Sequence, residues 1–259
     1  MGPRSVGYRT PGVGSGFSRI AADARRALVR LARPAGDFDA SRYFRGTNQL
    51  GFYNVGTGRV RALAREIVAA HGAWSADDAL AFADLLIPDR YLEVKGLAIE
   101  ALARFRRQFR PAFLGVWKRW LASNAADNWA TTDGMCALLI GPLLVAHPEL
   151  VPRLAAWARA RNLWVRRAAI VALIPPLRKH DVLDQVYATA HTLHTDDADL
   201  IQKAVGWTLR EAGKVDHRRL ERYLRANGAR IPRTTVRYAI ERFAPAKRRA
   251  LLAATRANG

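Results

Sequence analysis

Cysteine is nearly absent. The 259 residues hold one, Cys136, so no internal disulfide can form and a reduced intracellular compartment is the simplest reading. Long apolar runs are scarce too. The longest, Met135 to Ala146, is interrupted by Gly141 and Pro142 and is too short to span a bilayer; no membrane partner is expected. The opening MGPRSVGYRTPGVGSGFSR has no apolar centre and does not read as a secretory signal. Alternating strand patterns are few. GVGSG follows no strand and opens no clear helix, and there is no P-loop, so nucleotide-cofactor chemistry has no motif. The six histidines form no HExxH or comparable set with Cys136, so neither a metal nor a cofactor is expected. Acids are also in short supply. There are 22 Asp and Glu against 42 Lys and Arg, a formal net charge of +20.

Half the residues are hydrophobic, enough to bury a core, which excludes wholesale disorder. The positive surplus is spread along the chain rather than held in a tail. Phosphate neutralisation would release counterions, so nucleic acid is the leading partner. Heavy use of Arg and Ala, as in a GC-rich genome, is the bland alternative. Residues 1–18 are rich in Gly, Pro, Ser and Arg and read as a flexible basic arm. Residues 19–259 read as a single helical domain built from Ala, Leu and Arg, all good helix formers. Short turns such as HGAWSADDAL, AHPELV, ARNLW and HTDDADL separate segments of helical period.

The segments come in pairs, and the second members look alike: LEVKGLAIEAL, WATTDGMCALL, WVRRAAIVALI, IQKAVGWTLRE and TTVRYAIERFA. Aligned on their small and apolar positions, they put Gly96, Asp133, Arg167, Lys203 and Arg237 in one column, at steps of 37, 34, 36 and 34 residues. This period predicts an all-α fold of HEAT-like helical pairs stacked into a curved superhelix with a basic concave groove. An irregular helical bundle is the alternative.

The column carries the chemistry. Arg167, Lys203 and Arg237, with Arg166 beside them, suit a phosphate backbone. An aspartate in the same column should repel it, unless Asp133 faces a developing positive charge, is simply a first-turn helix residue, or pairs with Arg167. Trp129 lies four residues before Asp133, and Trp207 four after Lys203, each on the column's face. Indoles there can stack on bases or press on sugars, although most tryptophans pack between helices. An exposed aspartate needs no tuning to ionise at neutral pH, and Arg167 is expected to keep Asp133 ionised.

The stretches NWATTDGMCALLIGPLL, HPEL, NLWVRRAAI and LIQKAVGWTLREAGK, in this order, resemble the HEAT-like alkylpurine DNA glycosylases of the AlkD type. The likeness runs from about Tyr43 to Phe243 and is strongest between Asn128 and Lys214. It implies a monofunctional enzyme that hydrolyses the N-glycosidic bond of cationic N3- or N7-alkylated purines in double-stranded DNA. It further implies that no base need be flipped into a pocket; a monomer in the cytoplasm, at the bacterial nucleoid, is expected. By the resemblance Asp133 is the catalytic carboxylate, Trp129 and Trp207 pack against the lesion deoxyribose, and Arg167 holds a backbone phosphate. Tyr43, in SRYFRG, takes the place of an early family tyrosine. Where the family often has Gln in the following loop, this chain reads NVGTGRVR, with Gly56 near that place; the departure bears on lesion preference. Two other readings stand beside this one: a non-catalytic HEAT-like DNA-binding scaffold, and a solenoid whose groove takes acidic peptides.

Overall fold

A computed structural model describes residues 14–36, 44 and 50–256. Their regular structure is helical, and the one extended pairing among them is an isolated parallel bridge between Gly51 and Tyr91. The chain folds as HEAT-like helical pairs. Among the described residues, contacts group 14–36 with 50–105 in one compact unit and 44 with 106–256 in a second.

In the first unit, α1 (Gly14–Leu31) begins inside the stretch expected to be a flexible arm. Phe17, Ala21, Ala24 and Leu28 are buried at one-turn and two-turn spacings, so an amphipathic stripe carries the helix to Gly14. The Phe17 ring meets Trp74 edge-on at 5.5 Å. The rest of the expected arm, residues 1–13, lies outside the described residues. α2 (Thr57–Ala70) and α3 (Ala76–Leu86) follow. At the start of α3, Ser75 and Asp78 form a reciprocal capping box, which satisfies two N–H groups that helix geometry leaves without partners. α4 (Leu92–Ala103) is buried on nearly every side. Its two buried charged residues are matched. Glu93 accepts from the Tyr53 and Val55 amides at 3.0 and 3.2 Å, and the Lys95 ammonium donates to the Ile87 carbonyl at 3.0 Å.

The second unit opens with α5 (Phe113–Ala122) and then a continuous helix. α6 (Trp129–Met135) runs through a π-helical segment (Cys136–Ile140) into α7 (Gly141–Ala146). The Gly-Pro interruption was expected to limit this apolar run. It widens the helix instead. Pro142 has no N–H to give to the carbonyl four residues back, and the Gly141 amide reaches past the normal acceptor to Cys136. A Cβ at 141 would lie 2.3 Å from the Pro175 ring, so only glycine permits this approach. The resulting stretch Trp129–Ala146 is long and apolar enough to cross a membrane by length and composition. Here it is a core helix, half of it buried, with Met135, Cys136, Leu139, Ile140 and Leu143 inaccessible.

The remaining elements are α8 (Leu154–Trp157), α9 (Leu163–Val171), α10 (Leu183–Thr192), α11 (Asp199–Val215), α12 (His217–Asn227), α13 (Arg233–Ala239) and α14 (Pro245–Ala254). α6 packs on α9, α9 on α11, and α11 on α13, which puts the second members of successive pairs side by side. Polar caps fix where two of them start. Asn128 accepts from the Thr131 amide at 2.8 Å ahead of α6, and Asn162 from Trp164 and Val165 at 2.9 and 3.2 Å ahead of α9.

Candidate active site

Because Asn128 caps α6, Trp129 is already helical, and Asp133 falls one turn later on the same face. Both line a cleft of about 510 Å³ in the second unit. Arg167 enters it from α9, and Lys203 and Trp207 from α11. Thus Trp129, Asp133, Arg167, Lys203 and Trp207, far apart in sequence, meet in one place.

Asp133 and Arg167 form a bidentate pair. Nε donates to Oδ1 and Nη2 to Oδ2, each at 2.8 Å. Nη1 of the same guanidinium donates to the Leu200 carbonyl at the start of α11. The Arg167 side chain is 6% exposed and that of Asp133 16%, so the carboxylate keeps an edge on the cleft while the guanidinium sits behind it. The resemblance gives this guanidinium to a backbone phosphate; in the structure it holds Asp133. Burial pushes the Asp133 carboxyl above its ordinary value, while the hydrogen bond and charge of Arg167 hold it down. The net direction is upward, opposite to the expectation for an exposed aspartate, because desolvation outweighs the guanidinium. Two N–H donors aimed at two oxygens still select the anion.

The aromatic walls have their own support. The Phe44 ring stacks on the Trp129 indole at 5.2 Å with 11° between planes. Tyr43, the residue the resemblance singles out, lies outside the described residues. Lys203 pairs with Asp199 at 2.7 Å. That hydrogen bond raises its pKa against the opposing effect of burial, and the Tyr238 phenol adds to the rise.

Two other expected contacts are placed elsewhere. Arg166, next to Arg167, points to the other side of α9. It donates to Asp196 at 2.6 Å and to the carbonyls of Ala160 and Arg161, and it lines a separate hollow with Arg159, Asp196 and Asp197. It ties a loop to the next repeat. Arg237 is exposed on α13 and is not a lining residue of the Asp133 cleft; Tyr238 lines it instead. The column drifts by one residue at α13, whose rotation is fixed by its close seat on α11 at Gly206. Gly96, the column's first member, lies on α4 in the other unit.

Sequence reasoning missed Tyr238, Arg210 and Phe44. Arg210 had a signal, since Lys203, Trp207 and Arg210 are spaced four and three apart on one helical face. Its guanidinium pairs with Glu241. Phe44 and Tyr238 had none, because nothing local in a lone aromatic says which neighbour it will meet. Cys136 is fully buried, with burial pushing its thiol well up, so it is an inert core residue. Among the described residues no group of three His, Cys, Asp or Glu is placed to hold a metal.

Residues 24–243 match the family model for DNA alkylation repair enzymes. The chain belongs to this family. A solved structure described as a predicted DNA alkylation repair enzyme from Enterococcus faecalis matches with a TM-score of 0.67. It is 18% identical, and the match covers 88% of this chain and 96% of that one. At that identity the likeness supports the fold. No curated protein matches the sequence.

Proposed function

We propose that the protein is a monofunctional DNA glycosylase that hydrolyses the N-glycosidic bond of cationic N3- or N7-alkylated purines in duplex DNA, acting as a monomer and without drawing the base into a pocket. The observation that carries this reading is the Asp133 carboxylate, fixed by Arg167 at the edge of a cleft walled by Trp129 and Trp207.

An alkyl group on N3 or N7 makes the purine a cation and a good leaving group. The C1′–N9 bond breaks, its electron pair goes to the base, and the base leaves neutral. Positive charge is then left on the sugar, as in glycoside hydrolysis. A carboxylate beside C1′ stabilises that charge and orients the attacking water, whose oxygen bonds to C1′ as its proton passes to the carboxylate. Indole faces present negative potential to the same cation. The base needs no proton from the enzyme, so one carboxylate without a second acid suffices. Its confinement in a bidentate pair removes reorganisation at the moment of reaction. An open cleft places no tight limit on adduct size. No lysine stands at the position of Asp133, so Schiff-base lyase chemistry is not part of the reading.

The test is release of N3-methyladenine and N7-methylguanine from methylated duplex DNA by wild type and Asp133→Asn. Asparagine keeps the shape and loses the charge. The expected loss is about a hundredfold or more, the scale at which one transition-state electrostatic contact acts. Equal release by both proteins removes Asp133 from the mechanism. Salt-dependent DNA binding by a wild type that releases no base favours the non-catalytic scaffold.

A further inference from the structure

Resting on the reading that DNA occupies the Asp133 cleft, we propose that Tyr238 is a third aromatic contact in it, its ring lying against the planar face of the nucleobase next to the damaged one.

Three observations carry this. The first is position. α6, α9, α11 and α13 pack in that order, so Asp133 and Trp129 stand at one end of the cleft and Tyr238 at the other, with Trp207 and Lys203 between them. A strand whose damaged sugar meets Asp133 carries its next nucleotide toward α13. The second is exposure. Tyr238 is 38% exposed, an aromatic ring left open inside the cleft rather than folded into the core. A single exposed apolar side chain is ordinary on a surface, but this one shares its hollow with two tryptophans and a paired carboxylate. The third is rigidity. A Cβ at Gly206 would fall 2.5 Å from the Tyr238 Cβ and 2.6 Å from the Thr235 carbonyl oxygen. α13 therefore sits directly on the α11 backbone at a glycine, and the Thr235 hydroxyl locks the register by donating to the Gln202 carbonyl at 2.9 Å. The base of the Tyr238 side chain is held there, and stacking on a fixed ring carries a small ordering cost.

Stacking uses the ring and not the hydroxyl, so the full chain is compared with Tyr238→Ala, Tyr238→Phe and Trp207→Ala. The probe is a duplex holding a tetrahydrofuran abasic analogue flanked by 2-aminopurine. Affinity and aminopurine fluorescence are read together, with thermal melts to confirm folding. Tyr238→Ala is expected to weaken binding about tenfold, the scale of one base–aromatic stack, and to abolish the fluorescence change seen with wild type. Tyr238→Phe is expected to keep both. Wild-type affinity and fluorescence in Tyr238→Ala overturn the proposal when Trp207→Ala still weakens binding. A Phe variant as impaired as the Ala variant overturns it too, because the hydroxyl would then be the contact. If Trp207→Ala and Tyr238→Ala both bind like wild type, the cleft does not meet DNA and the glycosylase reading itself falls.

Discussion

Arg167 decides how Asp133 behaves. Among the described residues it is the group that holds the carboxyl down against burial, and its two contacts fix both oxygens. Arg167→Gln keeps a polar side chain but removes the charge and the paired donors. The Asp133 pKa should then rise further, because desolvation is left unopposed. If the carboxylate is the active form, base release is lost as pH falls through that pKa. The wild-type acid limb should therefore lie above 3.8, the ordinary aspartate value, and the variant's limb should lie higher still. Single-turnover release across pH, corrected for spontaneous depurination, measures both. A limb that stays in place in Arg167→Gln means that another group titrates. The pairing partner itself was legible in sequence, as one of the three readings of Asp133. The direction of the pKa was not, because it depends on how much protein surrounds a residue thirty-four positions from its partner.

At the scale of elements, the test is the seat of α13 on α11. Gly206→Ala should gain about 1 kcal/mol of helix propensity. Against that, the new methyl would overlap the Thr235 carbonyl oxygen at 2.6 Å and the Thr235 Cα at 3.2 Å. Backbone atoms cannot swing aside as a side-chain end does, and separating the helices strains the Thr235–Gln202 bond. Overpacking of this kind costs about 1–3 kcal/mol, so the balance is expected to be destabilising, with a melting temperature lower by a few degrees. A variant as stable as wild type, or more so, would show that the two helices have room between them. This contact also explains where sequence reading stopped. The pairing of helices and the shared face of Lys203 and Trp207 follow from periodicity, which is local. The choice of Tyr238 over Arg237 follows from a glycine on another helix, which no pattern within TTVRYAIERFA contains. The same holds for α6 and α7. Gly141-Pro142 reads as a break, yet the chain answers it with a π-helical turn, and the seat of Pro175 against Gly141 is a contact no local pattern contains.

For the whole molecule, the formal charge of +20 and the chemistry of the cleft separate. Inside the cleft each cation has an acid: Arg167 has Asp133, Lys203 has Asp199, and Arg210 has Glu241. The surplus therefore sits outside it, in exposed side chains such as Arg218, Arg222, Arg242, Arg248 and Arg249. Affinity for undamaged duplex should come from that surplus and fall steeply with salt, since each neutralised phosphate contributes about −0.9 to the slope of log affinity against log salt. A slope of about −5 or steeper is expected for wild type. Arg167→Gln should leave that slope unchanged while impairing base release, because the charge it removes is already balanced by Asp133 and lies behind it. A guanidinium bound to a phosphate would instead lower the slope by about one unit when removed. Filter binding of undamaged duplex across a salt series distinguishes the two roles. A drop near one unit would mean that DNA draws Arg167 away from Asp133, and that the pair seen here opens when the cleft is filled.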